Sequence, residues 1–146
     1  MKLPLLIIFF LFSIVSISCG QEPEPINFGS DDCAHCKMTI MDSKFGAELV
    51  TKKGKVYKFD AAECLINFLK KGKVREDEVK HFLVVDFNHP GNLINSLNSY
   101  YLISQNLQSP MGANLSCFEN KNSAEAQKNE FGGEVYDWNG LEDKLK

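Results

Sequence analysis

The sequence is short of the residues on which most enzymes depend. Only three histidines stand among 146 residues, and none joins a serine and an aspartate in a nucleophilic set. There is no glycine-rich phosphate loop and no paired-carboxylate cluster, so phosphoryl-transfer and acid–base chemistry lack their usual vehicles, and the chain reads as a non-enzyme. Sixteen Lys and Arg against nineteen Asp and Glu leave a net charge of −3, which offers no overall attraction for nucleic acid. Five cysteines are too few to make the chain a disulfide scaffold, so an apolar core must carry its stability. No uncharged run reaches the roughly 20 apolar residues of a membrane-spanning helix.

What is present begins at the N-terminus. Lys2 precedes an uncharged stretch from Leu3 to Ser18, with small Ser16 and Ser18 just before Cys19. This is the layout of an export signal over residues 1–18, and the position of Cys19 is that of a lipidated cysteine. Cleavage there leaves 128 residues, one domain's worth, and a net charge of −4. The polar, Pro-rich stretch that follows reads as a tether over residues 19–30, ahead of a domain over 31–146.

Within that domain Phe45 to Val50 and Val56 to Phe59 flank Lys53-Gly54-Lys55, which predicts a β-hairpin, with Met38 to Met41 as a strand before it. Asp60 and Glu63 have the spacing of a capping box ahead of a helix over 61–71. The second half opens on His81 to Phe87, followed by Tyr100 to Ile103 and Asn114 to Phe118, all β-prone runs. A helix is expected from Asn122-Ser123-Ala124-Glu125 to Gly132-Gly133, then a strand over Glu134 to Trp138 and a short helix over Leu141 to Lys146. The alternation gives an α+β fold of two loosely related strand-pair-plus-helix halves.

The chemistry concentrates in Cys33-Ala34-His35-Cys36-Lys37-Met38. A thioredoxin-type redox pair needs a helix after its second cysteine, and the residues after Cys36 are β-prone. A structural zinc site needs four ligands, usually from a second paired motif, whereas Cys64 and Cys117 are each solitary and read as small buried hydrophobes. Thiolate and thioether together select copper(I). Extended backbone over 36–38 would turn Cys36 and Met38 to one face. Met111 stands in a turn-like Ser109-Pro110-Met111-Gly112, an awkward place to bury an apolar chain. The expected site is one copper(I) on Cys36, Met38 and Met111, with Cys33 and His35 as further donors. His81 and His89 read as structural.

These pieces resemble the NosL family, the accessory copper-binding lipoproteins of nitrous oxide reductase. The match runs through Cys19, the stretch from Cys33 to Ile40, Phe45-Gly46-Ala47, Phe59-Asp60, Val85-Asp86-Phe87, Ser109 to Gly112 and Gly132-Gly133. The resemblance implies an α+β fold related to organomercurial-lyase modules. It implies a monomeric copper(I) metallochaperone, membrane-anchored in the cell envelope and facing the periplasm, on the outer membrane. Its partners would be nitrous oxide reductase and an ABC-type maturation complex. Family members often carry Gly where Lys37 stands, and many have only the second of the two cysteines, which makes Cys36 the principal ligand and Cys33 auxiliary. Two other functions fit the same residues: a thiol–disulfide oxidoreductase lipoprotein, and a copper carrier or store serving another cuproenzyme.

Overall fold

The computed structural model describes residues 22–145, so the export signal and Cys19 lie outside the described residues. Among the described residues, two small antiparallel sheets and three α-helices make up the fold. The first sheet has the order β2-β1-β3-β4, from β1 (Ala47–Thr51), β2 (Val56–Phe59), β3 (Val79–Val85) and β4 (Leu93–Asn95). The second has the order β6-β5-β7, from β5 (Tyr100–Ile103), β6 (Leu115–Phe118) and β7 (Glu134–Tyr136).

The hairpin forms as its turn residues require: Gly54 takes φ +81, which costs glycine nothing, and Val50 pairs with Val56. β1 is central in its sheet and buried at every residue. Helix α1 (Ala62–Lys70) follows β2 and lays Cys64, Leu65 and Phe68 inward. Phe68 meets Phe59 edge-on at 5.2 Å and Tyr57 at 5.0 Å. The two sheets are joined where Phe87 N–H donates to the Cys117 carbonyl and Phe87 packs between Phe45 and Phe118. Helix α2 (Lys121–Phe131) packs Ala124 beside Leu102 and Phe118. Helix α3 (Trp138–Lys144) covers the seam between the sheets, with Trp138 near Phe82 of one and Tyr101 of the other.

Several expectations are corrected. Met38 to Met41 forms no strand, only an isolated bridge between Asp32 and Thr39. The run from His81 belongs to the first half, because β3 pairs with β1; the second half starts at β5. Asp60 does not cap α1: Ala61 occupies the cap position without a side-chain bond, and the Asp60 carboxylate instead accepts the Met41 amide. The cap of α2 is Asn120, which accepts from Ser123 N–H, two residues earlier than expected. The docked chain also starts before residue 31. Ile26 is buried, and Lys58 holds Asp31 at 2.8 Å and the Pro25 carbonyl at 2.8 Å, fastening this segment along β2.

Candidate metal site

Residues 33–38 form a closed loop set against β2. Cys33 N–H donates to the Met38 carbonyl, Lys37 N–H to the Cys33 carbonyl, and Ala34 N–H to the Lys58 carbonyl. Lys37 closes the turn at φ +68, so backbone over 36–38 is not extended and the expected same-face argument for Cys36 and Met38 fails. A left-handed conformation costs a non-glycine residue about 1–2 kcal/mol. Lys37 recovers part of this through its own Nζ, which donates to the Ala34 carbonyl at 2.9 Å. Because that bond is exposed, its contribution is small. Lys37→Gly should therefore raise stability by about 0.5–1 kcal/mol in denaturant unfolding; a loss of stability would show that the lysine bond outweighs the strain.

The loop places Cys33 and Cys36 against the first turn of α1, where Cys64 completes a group of three sulfurs, all within 4.8 Å of one another. Cys33 and Cys64 are buried and Cys36 is partly open to solvent. The Cys33 sulfur accepts a hydrogen bond from the Cys64 thiol and further bonds from the amides of Cys36, Asp60 and His35. Those donors, against the opposing effect of burial, pull the Cys33 thiol down to about 4. The Cys64 thiol is pushed far up by donating to Cys33 and by burial. Cys36 is raised mainly by burial. One thiolate thus serves the apo cluster at neutral pH, close to the N-terminal end of α1, where the helix dipole favours an anion.

Met111 stands in the expected turn: Gly112 N–H donates to the Ser109 carbonyl, and Gly112 has φ +81. The turn is fastened to α1, since Ser109 Oγ donates to Glu63 Oε1 at 2.5 Å in the buried interior. Glu63 immediately precedes Cys64, so the Cys33 loop and the Met111 loop both meet the first turn of one helix. The Met38 and Met111 side chains are exposed, at 48 % and 37 %. His35 is half-buried, lines a neighbouring groove and stands outside the group of three sulfurs. Cys117 is buried in β6 as expected of a small hydrophobe. Among the described residues all four cysteines are free thiols.

Cys64 and Glu63 are the residues that sequence reasoning missed. The one available signal was a third thiol in the first turn of a helix that follows directly on β2. The geometry suits a soft ion: with metal–sulfur bonds of about 2.3 Å, three sulfurs around one ion stand roughly 4 Å apart, a spacing the cluster can meet. Three thiols without a fourth ligand fit copper(I) better than the four-coordinate zinc of structural sites.

Fold and site together define a small α+β domain with a soft-donor cluster suited to carrying one thiophilic metal ion. Residues 25–145 match the family model NosL, and the chain belongs to the NosL family. It is 26% identical over 132 residues to the copper-binding lipoprotein NosL of Stutzerimonas stutzeri, spanning 86% of this chain and 70% of that protein. Its fold is that of the crystal structure of the copper chaperone NosL from Shewanella denitrificans, with a TM-score of 0.68 and 24% identity over 82% of this chain and 95% of that one.

Proposed function

We propose that this protein binds one copper(I) ion and delivers it for the maturation of nitrous oxide reductase, through an ABC-type complex, from a lipid anchor at Cys19 on the periplasmic side of the envelope. The observation that carries the copper(I) reading is the convergence of Cys33, Cys36 and Cys64, with Cys36 alone partly open to solvent. Copper(I) is the cargo. Cys36 is its principal ligand and its exit, Cys33 and Cys64 hold it from the buried side, and the thioethers of Met38 and Met111 receive it on the way in or out. Neutral thioethers bind more weakly than thiolates, which suits a carrier that must release its ion.

Support for the carrier reading over thiol–disulfide exchange comes from the backbone: no helix starts after Cys36, where residues 34–36 form a turn. The names of the two relatives, a copper-binding lipoprotein and a copper chaperone, agree with it. The deciding experiment mixes the copper(I)-loaded protein with copper-free nitrous oxide reductase and its ABC-type maturation complex. Stoichiometric loss of copper from the carrier and gain by the reductase is expected; retention of the ion under these conditions would overturn the delivery role.

The anchor has its own test. Cys19→Ser should move the protein from the membrane fraction to the soluble fraction, because it removes the thiol that would be acylated and stable anchoring takes more than one membrane signal. Among the described residues no helix is long and apolar enough to cross a membrane. Unchanged membrane association of Cys19→Ser would place the attachment elsewhere.

A further inference from the structure

Beside the sulfur loop lies an open groove of about 400 Å³. Lys37, Lys55, Lys71 and Lys73 line its walls, and Tyr57 and Phe68 contribute apolar surface. No acidic residue lines it, although the chain carries more Asp and Glu than Lys and Arg. Among the described residues none of the four lysines makes an ion pair: Lys37 bonds the Ala34 carbonyl and Lys55 lies over the Tyr57 ring at 4.6 Å. A lysine near the end of a helix is commonly explained by the helix dipole, and that accounts for Lys71. It does not account for Lys37 and Lys55, which come from the sulfur loop and the hairpin turn. Four like charges gathered from three segments around one concavity repel one another and favour an anionic occupant.

We propose that this groove is the docking site for an acidic segment of the protein that receives the copper, a segment bearing Asp or Glu side chains and at least one apolar side chain. The proposal rests on the copper-delivery reading above. Charge complementarity identifies the occupant, and the aromatic surface distinguishes it from a free inorganic anion. A bilayer surface is flat and fits a concave groove poorly, whereas a peptide segment can enter it. The position gives the docking a purpose. Ala34, His35 and Lys37 belong at once to the groove and to the loop that carries Cys36. A partner seated there would stand beside the solvent-facing thiol. Because the whole chain is net negative, an acidic partner would be repelled elsewhere on the surface, and the groove would set both place and orientation.

The test uses Lys71→Glu/Lys73→Glu, two exposed positions outside the sulfur cluster, with Lys71→Gln/Lys73→Gln as the milder form. Copper(I) affinity measured under a competing chelator should be unchanged in both. Copper transfer to the reductase and its maturation complex should slow at least tenfold in the Glu variant at low salt and less in the Gln variant, and the difference from wild type should vanish at high salt. In a second arm, a hexaglutamate peptide ending in phenylalanine is titrated into the wild-type protein and followed by amide NMR shifts. Shifts at Ala34, Lys37, Tyr57 and Lys71 are expected, and their loss in the Glu variant.

Transfer by the Glu variant at the wild-type rate would overturn the proposal. So would peptide binding unaffected by charge reversal, or equal shifts from inorganic phosphate at the same concentration. Groove shifts from phosphatidylglycerol vesicles but none from the peptide would overturn it in favour of a lipid surface. Failure of the wild type to transfer copper at all counts against the delivery reading, and the peptide arm then decides the groove by itself.

Discussion

Cys36→Ser should lower copper(I) affinity more than a hundredfold, about 2.7 kcal/mol or more. It removes the one sulfur of the cluster that is open to solvent and leaves a hydroxyl, a hard donor that copper(I) binds poorly. Cys33→Ser and Cys64→Ser should each cost at least tenfold, because the three sulfurs lie within 4.8 Å of one another and share the ion. Met38→Leu and Met111→Leu nearly conserve volume, so their packing cost should stay under about 1.5 kcal/mol, and because their thioethers take the ion only in transit, each should weaken binding less than about tenfold. Proton release separates the two ligand sets. Cys33 is ionised down to about 4, while Cys36 and Cys64 are raised. Binding through all three sulfurs at neutral pH therefore expels two protons, and affinity should rise about a hundredfold per pH unit. Binding through Cys36 with two thioethers expels at most one. The measurement is a copper(I) titration under a competing chelator at several pH values, in reducing buffer because a disulfide among these thiols would remove the ligands. Wild-type affinity in Cys36→Ser would move the site elsewhere.

Glu63→Ala should destabilise the fold by about 3 kcal/mol and release the loop that carries Met111. The residue is 4% exposed, and its Oε1 accepts the Ser109 hydroxyl at 2.5 Å. Truncation leaves a small cavity and a buried hydroxyl without its acceptor, and such losses cost about 1–3 kcal/mol for the bond alone. Glu63→Gln keeps an acceptor oxygen and should cost far less. Faster amide exchange at Gly112 and Ala113 in Glu63→Ala, but not in Glu63→Gln, would show that the loop has lost its tie to α1. The pH dependence has a definite sign. Burial is the largest influence on Glu63 and raises its carboxyl above the ordinary value of 4.5, against the bond from Ser109. The folded state thus holds the proton more tightly than the unfolded chain. The resulting stabilisation is full below about 4.5 and is lost as pH rises through the folded-state value, so Glu63→Gln should gain on the wild type as pH increases. Equal stability of Glu63→Ala and wild type would show that the Ser109 bond contributes nothing to holding the loop.

Both predictions depend on residues that local pattern describes poorly. Glu63 has the spacing of a capping residue, and that spacing is satisfied equally by a chain in which the carboxylate turns inward. It turns inward because Ser109, forty-six residues away, arrives with a hydroxyl where the helix begins. The same holds for Asp60, which bonds the Met41 amide from a loop that no helical rule includes. Lys37 is a third case: its φ of +68 is imposed by the closed loop, and nothing in the neighbouring residues announces it.

The sequence by itself determined the elements: alternation and turn residues set the hairpin at Gly54, the β-prone runs set β3, β5 and β6, and Gly132-Gly133 ended α2. It also pointed to soft-donor chemistry, because the donors crowded between Cys33 and Met38 are visible without any coordinates. Only the tertiary structure decided that β3 belongs with β1 and that Cys64 stands beside Cys33 and Cys36. Only it gathered four lysines from three segments around one groove. The reason is physical. Periodicity and capping act over a few neighbouring residues and leave their mark on spacing, whereas the meeting of a loop with a distant helix is chosen by which faces bury best together, and spacing along the chain carries no record of that choice.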